Sequence, residues 1–514
     1  MRKRTAYYGQ QSDRPRPSVT CVMLLVKLLG MVRNILQARQ FGAGADVDVF
    51  TLANNYSVSL FTTICYALCI AAIPIFSQKL LESRRSCYET ADTLISNTLI
   101  LSLLVLGGLL LLGTTGATEL FLGEQAQGEL FRFCFLVLVP ALPVIMLTYL
   151  LLALFQPMGH FNLQGSLSLL YNAALCAALV AGGEKLSLKT FTVLTSVCWL
   201  FQLAMVLPCI KKEQYHFHFR PNLRQRSYWS FLRTGMLTMY NSAVFLLCYL
   251  INAHFATAAP TGTVASYFYA DRLYEPLATA LIYSVSIVLF PSFSQKYTQM
   301  EHREYRQYVV YILKNALLFL LPVSLLFAAF GTPVIRVLFE GGDFSAQNAL
   351  VCGSIFSRYC IGMVGFFVLD ILNKAYYAMG RTLIPILMTS GVLGVCGLSN
   401  LLVSHFLPER PELLALGSSV GFCLAALVGY VLFARMGQAK LPVKQLVWGT
   451  VCSVALGLAA FWLYSWKIVR FSSKLWTVLL CGGVGIVGLL IYILLMGRHI
   501  PTYEILQKLG RKER

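Results

Sequence analysis

Tyr269-Ala270-Asp271-Arg272-Leu273-Tyr274-Glu275-Pro276 sets three ionisable residues inside an apolar run that continues from about Val264 to Phe290. A run of roughly 20 residues is enough to cross a bilayer, so these charges sit in or near hydrocarbon. At about 100° per residue, Asp271, Arg272 and Glu275 share one arc about 100° wide, and Thr279 and Ser286 lie on it too. One side of this helix is therefore wet. Charge at membrane depth is costly and turns toward a partner or a water-filled cavity, so it marks a substrate or ion path. The plainer reading is an internal neutralisation that pins helices together. One arginine against two carboxylates, however, leaves a charge to be matched elsewhere.

Working outward, the whole chain has the same character. Of its 514 residues, 57% are hydrophobic and 12% charged, with a mean hydropathy of +0.68. Soluble domains do not reach such values, and the composition is that of a polytopic membrane protein. The net charge of +19 comes from basic residues spread over short loops and tails. That distribution reads as membrane topology and not as a nucleic-acid surface. The 15 cysteines lie almost all in apolar runs, as Cys65, Cys69, Cys176, Cys248, Cys396 and Cys481 do, and read as small hydrophobes. His216 and His218 stand in a basic loop whose neighbours offer no further metal ligand. The sequence carries no zinc-protease, phosphate-loop, serine-hydrolase or dinucleotide signature in a confirming context, so an enzyme is not expected. No metal and no cofactor is expected either.

Apolar segments at about 18–38, 49–76, 92–115, 130–156, 163–182, 188–210, 231–256, 263–292, 309–338, 346–376, 382–405, 412–434, 445–466 and 475–496 predict an all-α integral membrane protein. It would have about 14 transmembrane helices. The first segment contains Lys27 and Arg33 and no A-x-A pattern, so it is expected to stay as a helix and not to be cleaved. Lys and Arg alternate between loops. One side holds Lys79, Arg84, Arg85, Lys211, Lys212, Arg220, Arg224, Lys296, Arg303, Lys374, Arg381, Arg435 and Arg498. The other side is poorer in them and carries Asp46, Glu119, Glu124, Glu340 and Asp343. The positive-inside rule then predicts both termini in the cytoplasm.

The chain also repeats. Pro74-Ile-Phe-Ser-Gln-Lys79 recurs as Pro291-Ser-Phe-Ser-Gln-Lys296, and the same offset of about 217 sets Ala53-Asn54-Asn55 against Ala270-Asp271-Arg272. Met158-Gly159 likewise matches Met379-Gly380. Each repeat holds six helices, an even number, so both copies enter the membrane from the same side. The expectation is two parallel six-helix lobes, with a binding site between them, plus two extra C-terminal helices. In residue numbers, 1–17 form a basic arm, 18–212 the first lobe and 213–230 a basic linker. The second lobe is 231–440, helices 13 and 14 fall in 441–497, and 498–514 is a basic tail.

The first helix shows a second polar face. Lys27, Gly30, Arg33, Asn34 and Gln37 span about 120° at helical spacing. Two cations, amides and a glycine suit a phosphate-bearing substrate, since arginine offers a planar fork and lysine a point charge. Alternatively Lys27 and Arg33 pair with Asp48, Asp271 or Glu275. Asn54 and Asn55 either face the same cavity or bond between helices. Asp370 and Lys374, four residues apart, are a weaker candidate and are placed to pair with each other.

Several motifs resemble one family. Lys27-Leu-Leu-Gly-Met-Val-Arg33-Asn-Ile-Leu-Gln-Ala-Arg39-Gln-Phe-Gly-Ala-Gly44 followed by Asp48-Val-Phe50 looks like the first-helix signature of the MurJ/MviN lipid II flippases. The stretch 269–276, Leu289-Phe-Pro-Ser-Phe-Ser294, Leu338-Phe-Glu-Gly-Gly-Asp-Phe344 and Ala375-Tyr-Tyr-Ala378 match the same pattern. That family belongs to the multidrug/oligosaccharidyl-lipid/polysaccharide superfamily. The resemblance implies a multi-pass bacterial plasma-membrane protein that moves lipid II, the polyprenyl-linked peptidoglycan precursor, to the outer leaflet by alternating access for cell wall synthesis. Implied partners are lipid II, membrane lipids and the cell wall synthesis machinery. Lys27, Arg33, Asp48, Arg272 and Glu275 would occupy cavity positions, and helices 13 and 14 would form a groove for the lipid tail. Val58, Ser59, Leu60 and Phe61 lack the cation that the family carries midway along helix 2.

The expected site therefore has two parts. Lys27, Arg33, Asn34, Asn54, Asn55 and Arg272 bind substrate, while Asp48, Asp271 and Glu275 balance charge or couple transport to membrane potential, Na+ or H+. Three other readings are an exporter of another polyprenyl-linked oligosaccharide, a multidrug or cation antiporter of the same superfamily, and a non-transporting scaffold. A membrane-embedded transferase would need a catalytic acid or histidine cluster, which the sequence does not offer.

Overall fold

The computed structural model describes residues 17–115, 127–160, 163–436, 442–465 and 474–496. The basic arm up to residue 16, Glu119, Glu124, and the tail from 497 lie outside the described residues. Among those described, the chain is helical, and the one β-bridge joins Gly341 to Phe344. We number the helices α1 (Pro17–Phe41), α2 (Ala45–Glu82), α3 (Arg84–Thr114), α4 (Gly128–Phe155), α5 (Leu163–Gly182) and α6 (Leu188–Lys212). Next, α7 runs over 226–256 in two segments, Arg226–Ser242 and Val244–Ala256, and is followed by α8 (Thr263–Gln299). Then come α9 (His302–Ala329), the short helix Gly331–Phe339 and α10 (Ala346–Ala378). The last four are α11 (Leu383–Phe406), α12 (Leu414–Arg435), α13 (Val443–Ser465) and α14 (Lys474–Met496). Eleven helices among the described residues are long and apolar enough to cross a membrane.

Local chemistry sets the boundaries. Ser83, Ser187 and Ser345 cap α3, α6 and α10, each side-chain oxygen accepting from a backbone N–H three residues on at 3.0–3.2 Å. Three apolar runs that read as single helices are interrupted. The segment expected at 231–256 breaks at Ala243 and the one at 309–338 breaks at Phe330. Within α2, Asn55–Ser59 form a π-helical turn.

The chain packs into two compact units. Of the described residues, the first comprises 17–40, 53–115 and those within 127–239, and the second comprises 41–52 and those within 240–496. In the first, α2 packs on α3 and α4, and α4 and α5 pack on α6. The loop 213–225 is bound to this unit through the first half of α3. Asn97 and the backbone of Asn222 exchange two hydrogen bonds, Nδ2 donating at 2.9 Å and Oδ1 accepting at 2.7 Å. Tyr215 donates to Asp92 at 2.6 Å. Glu213 meets His160 at 2.8 Å and Arg84 at 3.2 Å. Burial, with the Asp92 carboxylate beside it, pushes the Tyr215 phenol up from its ordinary range.

The second unit is built on α10, which packs on α8, α9 and α12. Gly362 and Gly365 let α10 and α12 touch at their backbones: a Cβ at either would come within 2.6 Å of Ser419 or Cys423 main-chain atoms. Small residues at such crossings are the usual means of helix association in lipid. Helix α13 packs on α9, and Tyr492 of α14 donates to the Leu318 carbonyl at 2.8 Å. Leu326, Phe330, Ala460 and Cys481 close a small core there. The α1–α2 turn and the start of α2, residues 41–52, pack with this unit, so the packing boundary along α2 falls just before the π-turn.

Candidate functional site

The expected site residues divide between the units. Lys27, Arg33, Asn34, Asn54 and Asn55 are in the first, while Asp48, Asp271, Arg272 and Glu275 are in the second.

On α1, Lys27 is exposed and Arg33 half-buried. The Arg33 guanidinium donates to Asn34 Oδ1 at 2.9 Å and lies 5.6 Å from the centroid of the Tyr171 ring on α5. A charged donor held by an amide and an aromatic face keeps its fork in one plane. Asn34, itself buried, thus orients Arg33. A Cβ at Gly30 would meet the Asn172 amide at 3.6 Å, ordinary contact, so that position does not require glycine.

On α2, Asn54 donates from Nδ2 to Ser59 Oγ at 3.4 Å, spanning the π-turn, and Asn55 is fully buried. Bonding across a wide turn is the local role of Asn54 here. A π-turn arises where one extra residue is accommodated in a helix, and such turns are frequent at functional sites.

Asp48 was expected to balance the cations, but its partners are backbone. It is fully buried. Its Oδ2 accepts from the Gly262 N–H and its Oδ1 from the Ala265 N–H, both at 2.6 Å. Those amides belong to the start of α8, where the first N–H groups have no helical acceptor and the helix dipole favours an anion. Asp48 is thus an N-terminal cap supplied from another helix. Gly262 holds φ = +87° and faces the Ala43 carbonyl, so a side chain there would be both strained and obstructed. Tyr269 adds a hydrogen bond to the Gly42 carbonyl at 3.3 Å.

On α8, Arg272 is half-buried, with its guanidinium 5.0 Å from the Phe268 ring centroid, and Glu275 is half-buried. Asp271 is 8% exposed and lines a cavity of about 10 Å3. Pro276 removes the N–H that would bond the Arg272 carbonyl, loosening the helix beside these charges. The Ser286 side chain lies outside the described residues. Asp370 and Lys374 form the expected i,i+4 pair at 2.5 Å. His216 and His218 are exposed, and His218 stands 3.5 Å from Asp92.

Two polar groupings escaped the sequence reading. One is the bonding of loop 213–225 to α3. The other is a buried network in the second unit: Asn252 Nδ2 donates to Tyr359 OH at 3.0 Å and to Ser418 Oγ at 2.9 Å, and Asn400 donates to Asn252 Oδ1 at 2.7 Å. Asn97, Asn252 and Asn400 each interrupt an apolar run, and that was the available signal.

Against this geometry, three comparisons are informative. The sequence model of one family, described as Lipid II flippase MurJ, matches residues 37–481. A lipid II flippase MurJ of Burkholderia cenocepacia is 26% identical over 434 residues, 82% of this chain and 83% of that protein. A probable lipid II flippase MurJ of Rhizobium tropici is 24% identical over 93% of this chain and 91% of its own length. Among solved structures, a lipid II flippase MurJ in an inward closed conformation superposes with a TM-score of 0.77 at 18% identity, covering 94% of this chain and 99% of that one. An inward-facing multidrug resistance MATE transporter of the MOP superfamily reaches 0.65 at 14% identity over 80% and 93%. At these identities the structural likeness speaks for the fold, whereas the family match spans most of the chain. By that match the chain belongs to the lipid II flippase MurJ family, a family of membrane transporters and not of enzymes.

Proposed function

We propose that this protein carries lipid II from the inner to the outer leaflet of the bacterial plasma membrane by alternating access, supplying cell wall synthesis. The observation that carries the reading is the family match over residues 37–481. The cationic faces of α1 and α8 agree with it, since a pyrophosphate-linked headgroup needs positive partners at membrane depth. Lys27, Arg33 and Arg272 engage the pyrophosphate, with Arg33 held ready by Asn34. Asp271 and Glu275 counter the cations of the empty carrier, and Asp48 fixes the α1–α2 turn to α8. Both termini lie in the cytoplasm, in keeping with the Lys and Arg alternation. Movement of net charge couples the cycle to membrane potential at about 2.3 kcal/mol per charge per 100 mV. The test is replacement of the native precursor flippase in depleted cells, with a leaflet-accessibility assay for lipid II. We expect rescue by the natural sequence and loss of it in Arg33→Ala and Arg272→Ala at equal membrane abundance. Rescue by both variants would refute the proposed site.

A further inference from the structure

The Asp271 carboxylate is more than nine-tenths buried and opens onto a cavity of about 10 Å3 in the second unit. That volume is at the threshold for a single water molecule. No N–H or O–H among the described residues donates to either carboxylate oxygen. A carboxylate in this setting lacks the partners that buried charge requires.

The walls decide what could neutralise it. Phe245, Tyr274, Tyr359 and Phe422 form an aromatic enclosure, with Tyr274 stacked on Tyr359 at 5.2 Å and Phe245 5.3 Å from Phe422. Three of the neutral oxygens at the cavity are already engaged. Ser418 Oγ and Tyr359 OH accept from Asn252, and Ser419 Oγ donates to the Arg358 carbonyl at 2.7 Å. Hard cations take six or more oxygen ligands, and one carboxylate among rings falls far short.

The charged groups nearest Asp271 are Arg272 beside it and Glu275 one turn on. Among the described residues, the titratable groups that neighbouring helices bring to the cavity are thiols and phenols: Cys248 and Tyr249 of α7 and Tyr359 of α10. These are uncharged at neutral pH.

We infer that Asp271 is a proton-binding site: its carboxylate takes one proton from water, becoming the neutral acid, and excludes metal ions. The two charge states of Asp271 then distinguish two stages of the transport cycle. This deepens the transport reading and rests on it. Arg272, one residue on, bears the opposite charge, so the state of Asp271 sets how much of that charge is countered within α8.

The test uses the full chain in lipid vesicles without substrate, in sodium-free buffer, followed by difference infrared spectroscopy across pH. A protonated-carboxyl C=O band should appear on acidification, vanish in Asp271→Asn and persist in Glu275→Gln. Asp271→Glu should retain a band with a shifted midpoint, which guards against misfolding of the amide variant. Persistence of the band in Asp271→Asn, its absence from the natural sequence, or its removal by sodium at constant pH would each overturn the inference. A second arm follows a fluorescent lipid II in the same vesicles at zero membrane potential. The natural sequence should respond to an imposed pH gradient, and Asp271→Asn should lose that response. A titrating band without any lipid II movement would refute the transport reading alone, and movement without the band would refute the proton site alone.

Discussion

Asp48 shows how a residue's chemistry is set by where the chain brings it. In the sequence it is an acid just inside the second helix, near cations and able to balance them. In the structure both of its oxygens are occupied by backbone amides at the start of α8. The partner is over 200 residues away, and no local pattern announces it. Removing the side chain strands two buried N–H groups, each costing about 1–3 kcal/mol. Asp48→Ala should therefore lower the thermal unfolding midpoint of the purified protein and reduce complementation. Asp48→Asn should do nearly as much harm, because its NH2 would face an N–H donor. A fully stable Asp48→Asn protein would show that the cap is dispensable. Arg33 is the converse case: the acceptor that orients it, Asn34, is its sequence neighbour.

At the scale of elements, most spans were legible because hydrocarbon admits only helices and their apolar runs stand out. The interruptions at Ala243 and Phe330 were not, nor was the π-turn Asn55–Ser59. A break inside an apolar run leaves hydropathy unchanged, and what marks it is hydrogen bonding within the fold. Deleting Tyr56 removes the extra residue, so the turn should close as ordinary α-helix with the remainder of α2 in register and the Asn54–Ser59 bond lost. The outcome expected is a protein that inserts normally and fails to complement. Full function after the deletion would mean that the wide turn has no role. The loop 213–225 offers a separate test. Asn97→Ala removes both bonds to Asn222, a loss of about 1–2 kcal/mol. Trypsin should then cut after Arg220 or Arg224 roughly tenfold faster, because cleavage follows the population of the opened loop.

At the scale of the whole molecule, helical class was legible from apolar runs and family from spaced motifs, whereas the assignment of residues 41–52 to the second unit was not. Contiguity in sequence suggests that a helix moves as one body. Packing divides α2 otherwise, its first turns belonging with α8 and its remainder with α3 and α4. The polar network of Asn252, Asn400 and Ser418 was missed for a related reason. Each residue alone reads as an isolated polar position, and only the fold joins α7, α11 and α12 around it.

The cap on α8 carries one more implication. Asp48 and Ala265 are 217 residues apart, the same spacing as between the recurring motifs of the sequence. An acid at both positions would set two like charges against each other. The cap should then be transferable. Ala265→Asp alone should destabilise the protein, while Asp48→Ala with Ala265→Asp should recover part of what Asp48→Ala loses, read as the unfolding midpoint.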